Sequence, residues 1–177
     1  MKRFSSQLIF CSPEKILRRT VIEQDDQNKI SHFISLDKSV YEPAQTQFFD
    51  GIISSEIVSL KENISIETLY KTKNEYQYFD LSNELISSEI ISDGKPLLFD
   101  FGKNNTEIIN SKFKLVSTFL NRFTIFEIIA ACTSLPAEIA AKNTILKVNN
   151  ISSLILWSNV DFSTMKLTDK TFIRFLS

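Results

Sequence analysis

Histidine occurs once in these 177 residues, as His32, and that scarcity removes more chemistry than any other feature of the composition. A zinc site generally takes three or four His, Cys or carboxylate ligands, and one histidine with the two scattered cysteines Cys11 and Cys132 has little to offer it. Ser-His-Asp and Cys-His schemes need a base held by a third group, so they are weakened by the same shortage. No metal and no cofactor are expected. The two cysteines lie in or beside apolar stretches, which suits free thiols in a reducing cytoplasm. Long apolar runs are missing too: none approaches the roughly 20 residues of a membrane span. Met1-Lys2-Arg3 is basic, but FSSQLIFC is broken by serines and stops at Pro13-Glu14-Lys15, so no secretory h-region is read here. Twenty basic and twenty-one acidic residues give a formal charge of -1 without a block of either sign, which disfavours a nucleic-acid binder. Tryptophan occurs once against fifteen phenylalanines, most of them in apolar runs, and core packing accounts for those better than base stacking.

A hydrophobic fraction of 43% and a charged fraction of 23% are ordinary for a globular chain, and the length suits a single domain. It is too short to hold a (β/α)8 barrel, which takes about 250 residues, in addition to a sandwich. Phe4 to Phe10, Ile16 to Glu23, Lys29 to Leu36 and Gln45 to Ile53 read as strands, with Asp25-Asp26-Gln27-Asn28 as the tight connection between the second and third. Period-two alternation puts His32 on one face with Ile30, Ile34 and Leu36, as a half-buried ring rather than a ligand. Asp37 to Thr46 reads as a loop. Tyr70 to Asp80, aromatic and of mixed charge, reads as a loop covering a sheet or as a partner surface, and Leu81 to Ile91 as a helix or an irregular packed segment.

Pro96 to Phe101 is a short apolar strand followed by a turn at Gly102-Lys103-Asn104-Asn105. Thr106 to Leu120 fits a helix. Thr124-Ile125-Phe126-Glu127 fits a capping box, with Phe123 and Ile128 spaced for a hydrophobic staple, so a second helix starts there and buries Ile125, Ile128, Ile129 and Cys132. Pro136 suits the first turn of a third helix and Asn143 its C-terminal end. Strands return at Thr144 to Val148, Ile151 to Trp157 and Thr171 to Leu176, the first two joined through Asn149-Asn150.

Asp50 to Asn63, DGIISSEIVSLKEN, resembles the first barrel strand of the amidohydrolase superfamily of metal-dependent hydrolases. There a phrase of the type GxxxPGxxxxHxH carries two zinc-binding histidines. With Gly51 on the first glycine, Ser55 and Glu56 stand at the Pro-Gly turn and Lys61 and Asn63 at the histidines. TIFEIIAACTSLPAEIAAKN stands where the family has its last helix, and TILKVNNISSLILW resembles the hairpin that returns to the N-terminal sandwich. PLLFDFGKNN resembles the eighth barrel strand, which places Asp100 on the family's metal-linked aspartate as a relic.

The resemblance implies an α+β, mostly β chain: a small β-sandwich of N- and C-terminal strands (1–60 and 144–177), two or three helices packed against it, and 61–143 as a shortened remnant of the barrel. It implies a catalytically inactive, amidohydrolase-like binding or scaffold module, with no catalytic residue, Lys61 and Asn63 as degenerate metal positions, and a homodimer or protein partner. The alternatives are the non-catalytic half of a split hydrolase acting on C-N bonds and completed by a partner subunit, and an ordinary β-rich interaction module.

Overall fold

The computed structural model describes residues 1–37, 42–82, 94–102 and 106–176, and for 115–118 the backbone alone. Five strands come first: β1 (Lys2–Ser12), β2 (Lys15–Leu17), β3 (Thr20–Gln24), β4 (Ile30–Ser35) and β5 (Thr46–Ser54). Helix α1 (Ile66–Glu75) and strands β6 (Gln77–Asp80) and β7 (Leu97–Asp100) follow, then α2 (Thr106–Leu120), α3 (Ile125–Cys132) and α4 (Ser134–Ile139), and finally β8 (Leu154–Ser158) and β9 (Phe172–Leu176). The chain is α+β and mostly β. The earlier readings of a loop at 37–46, a helix or packed segment at 81–91 and a turn at 102–105 fall wholly or partly outside the described residues.

The strands from both ends of the sequence share one mixed sheet in the order β4-β3-β1-β5-β8-β9, with β2 added to β1. Only β1 and β5 run parallel in it, a pairing that the intervening β2, β3 and β4 make possible by carrying the chain back to the starting edge. The β3–β4 turn is tied by Asp25, whose Oδ1 accepts from the backbone N–H groups of Gln27 and Lys29, both at 2.9 Å.

This sheet curls until its β4 edge meets the lead into β8. Ile30 N donates to Asn150 O at 2.9 Å, Asn149 N donates to Ile30 O at 2.8 Å, and the buried Gln24 amide donates to Ser152 O at 2.7 Å. The curl encloses Phe4, Ile9, Ile22, Ile30, Ile53 and Leu156, all at most 1% exposed. The sheet's other face carries Leu8, Phe10, Ile52, Ile155 and Trp157, against which α2, α3 and the separate parallel pair β6–β7 are packed. Alternation lets β1 serve both cores, and a register shift between Ser6 and Leu8 reverses its phase, so that Phe4 joins Ile9 in the enclosed cluster whereas Leu8 and Phe10 point to the helices.

Helix α3 forms as its sequence dictates. Glu127 N donates to Thr124 Oγ1 at 3.3 Å and Thr124 N to Glu127 Oε2 at 2.7 Å, closing the capping box. Phe123 and Ile128 join the same core cluster, as a staple requires. Helix α4 stops at Ile139, short of Asn143, and the left-handed position falls on Ala141 at φ 52°. Two readings are corrected. Tyr70 to Asp80 is not a loop but the end of α1, capped by Ser65, running into β6. Thr144 to Val148 is a series of turns and not a strand, so β8 pairs with β5 and β9 instead of forming a hairpin with that segment. Among the described residues no helix is long and apolar enough to cross a membrane.

Candidate functional site

The parallel pair β6–β7 sets Asp80 opposite Asp100, so both carboxylates arrive at the C-terminal ends of their strands. That end of parallel strands is where open α/β sheets commonly place ligands. The segment after β5 comes to the same spot. Residues 55–60 leave the sheet with Ile57, Val58 and Leu60 buried, and Val58 N donates to Cys132 O at 3.0 Å. The strand expected at Gln45 to Ile53 ends at Ser54, and the chain continues as a buried connection that delivers Ser59 and Lys61 to Asp100.

Asp100 has no exposed surface, and four donors converge on it. Oδ1 accepts from Ser59 Oγ at 2.8 Å and Gly102 N at 3.0 Å, and Oδ2 from Lys61 N and Tyr78 OH, both at 2.9 Å. An ionised carboxylate offers about four lone-pair positions, so this one is fully engaged. Burial pushes the Tyr78 hydroxyl well above its usual range, and the neighbouring Asp100 charge and hydrogen bond push it further. The Lys61 ammonium turns outward to bond Asp80 Oδ2 and, at 2.9 Å, Ser82 Oγ. For Asp80, partial burial raises the carboxyl, but the bonds from Lys61 and Ser82 outweigh it and hold it below the ordinary range. Asn63 closes its own turn by donating its amide to Ser59 O.

Lys61, Asn63 and Asp100, which the resemblance drew from distant parts of the sequence, thus belong to one hydrogen-bonded cluster with Ser59, Tyr78, Asp80 and Ser82. A divalent ion at Asp80 and Asp100 would have to displace the Lys61 ammonium and two or more of the Asp100 donors. Among the described residues no group of three His, Cys, Asp or Glu side chains converges on a metal position.

His32 is not half-buried: its side chain is 71% exposed, with Nδ1 at 3.3 Å from Glu23 Oε2. Ser31 is an extra residue in the β3–β4 register, since His32 pairs with Glu23 but Ile30 pairs with Gln24. That one residue reverses the alternation, sending Ile30 inward and His32 out. Cys11 and Cys132 are buried and free. Burial pushes the Cys11 thiol up to about 11, against a small opposing pull from Lys15, and pushes Cys132 well up. In the folded chain at pH 8 both thiols should resist Ellman's reagent for as long as the chain stays folded, and both should react once it is unfolded in guanidinium. A thiol titrating within minutes under native conditions would contradict this burial.

A second concavity lies beside α3. It is an apolar cleft of about 520 Å³ walled by Ile16, Leu97, Phe123, Phe126, Ala130 and Leu135, with Lys95 and Glu127 among its lining residues. Its walls come from the β1–β2 hairpin, the start of β7 and the α3–α4 helices, so no local stretch of sequence announces it.

No protein-family model matches the chain, and no curated protein matches its sequence. Among solved structures it is similar to the N-acetyl-D-glucosamine-6-phosphate deacetylase from Mycobacterium smegmatis at 6% identity and a TM-score of 0.26, a likeness too slight to carry fold or function across. The overlap takes in 82% of this chain and 42% of that one, so the chain spans less than half the length of that protein.

Proposed function

We propose that this chain is a non-catalytic binding or scaffold module on an amidohydrolase-like frame. The reading is supported above all by the way Asp100 is used. The residue that the resemblance sets on a metal-linked aspartate accepts from Ser59, Lys61, Tyr78 and Gly102 and serves as a peg joining three segments of backbone. Lys61, at a histidine position, carries a positive charge and is bonded to Asp80, which is the opposite of what a cation site requires.

The test is metal content and turnover together. Protein purified without chelator and dialysed should carry zinc far below one ion per chain by plasma mass spectrometry. It should also hydrolyse neither cyclic amides nor aminopurines in zinc-supplemented buffer. One tightly held zinc per chain, or turnover that a chelator abolishes, would overturn the reading.

A further inference from the structure

We propose that the cleft beside α3 binds a monocarboxylate with a hydrocarbon body, its carboxylate on Lys95. The inference deepens the binding-module reading by naming the ligand class. A volume of about 520 Å³ falls in the range of small-molecule sites, which are mostly apolar with few polar groups for orientation. Phe123, Phe126, Leu97 and Leu135 supply the apolar walls, and Ala130, small and almost fully buried, leaves the room.

The two charged residues among the described lining are not equivalent. Glu127 is committed to the start of α3, its Oε2 accepting from Thr124 N at 2.7 Å and Thr124 Oγ1 at 2.8 Å. Those bonds and the positive end of the helix offset its charge. Lys95 gives one of its N–H groups to Asn74 O at 2.8 Å. An ammonium has three, and among the described residues the other two N–H groups have no hydrogen-bond partner, which suits them to a carboxylate. A long chain body seeks the apolar walls while its head stays at the exposed lysine. A cationic amphiphile meets the Lys95 charge instead.

Decanoate, decanol and decylammonium would be titrated into the full chain below their micellar concentrations, by calorimetry and by methyl chemical shifts. Decanoate should saturate at one per chain, with a dissociation constant under about 1 mM, and shift the methyls of Leu97, Ala130 and Leu135. Lys95→Gln, an exposed change that should not touch folding, should weaken decanoate about threefold and bring it level with decanol. Ala130→Leu should abolish binding, and the methyl map decides if that variant does not fold. Absence of saturation, shifts centred elsewhere, or a carboxylate preference that survives Lys95→Gln would each overturn the proposal. Zinc content and turnover judge the non-catalytic reading separately, so either idea can fail without the other.

Discussion

Gly51→Ala is expected to abolish stable folding. A Cβ at this position would stand 2.1 Å from the Trp157 carbonyl oxygen and 3.0 Å from its carbon, both backbone atoms of the neighbouring strand. The backbone φ of 138° is also one that L side chains rarely adopt. Flexible side chains can yield to a new methyl, but a paired strand cannot. Relief would require β8 to move off β5, opening the Ile52–Trp157 register and breaking the bond from Trp157 Nε1 to Ser54 Oγ at 2.9 Å. A loss above about 4 kcal/mol is reasonable for such a change and is enough to unfold a domain at the lower end of the roughly 5–15 kcal/mol that holds ordinary domains together. Gly94→Ala is the control, since its φ is 98° but nothing among the described residues lies within 4 Å of the added carbon. It should lose only about 1–2 kcal/mol of backbone strain. Urea melts followed by circular dichroism would compare the two, and equal midpoints would show that the approach of Trp157 does not matter.

Asp100→Ala should come next in severity, at about 3–5 kcal/mol, because it strands buried donors on Ser59, Lys61, Tyr78 and Gly102 together. Tyr78→Phe removes one of those donors and should cost about 1 kcal/mol. Added to Asp100→Ala it should cost almost nothing, because the bond it would delete is already gone. Were the carboxylate held for chemistry and not for folding, its removal would leave the melting midpoint nearly unchanged. That outcome would undo both the peg role and the functional reading built on it.

The parts of this fold that were legible in the sequence are those governed by neighbours. The capping box at Thr124 and Glu127 needs only residues three apart, and the strand at Pro96 to Phe101 only a run of apolar side chains between turn signals. Helix α1 was missed because it hardly buries anything: Thr72 is its buried residue while Ile66 and Tyr70 lie exposed, so no apolar stripe marks it. Thr144 to Val148 alternates like a strand, yet only Leu146 enters the enclosed core, and the backbone bonds of 149–152 go to Asn28 and Ile30 instead. His32 was misplaced by one extra residue, Ser31, which no propensity reveals. In the polar cluster, Lys61, Asn63 and Asp100 were singled out by resemblance, whereas Ser59, Tyr78 and Asp80 carry no signal of their own. Tyr78 and Asp80 enter because β6 and β7 pair in register, and Ser59 because the connection after β5 passes Asp100, both facts of topology.

The interleaving of early and late strands also bears on how the chain is made. β5 lies between β1 and β8, so a nascent polypeptide that has emerged only as far as Ser54 presents Ile52 and Ile53 beside an empty place in the ladder until Trp157 and its neighbours leave the ribosome. Partners so distant along the chain make for slow assembly and a window in which apolar strand edges can find the wrong mate. Fragments that stop before Leu154 are accordingly poor candidates for recombinant work, because they leave the β5 edge without its β8 partner.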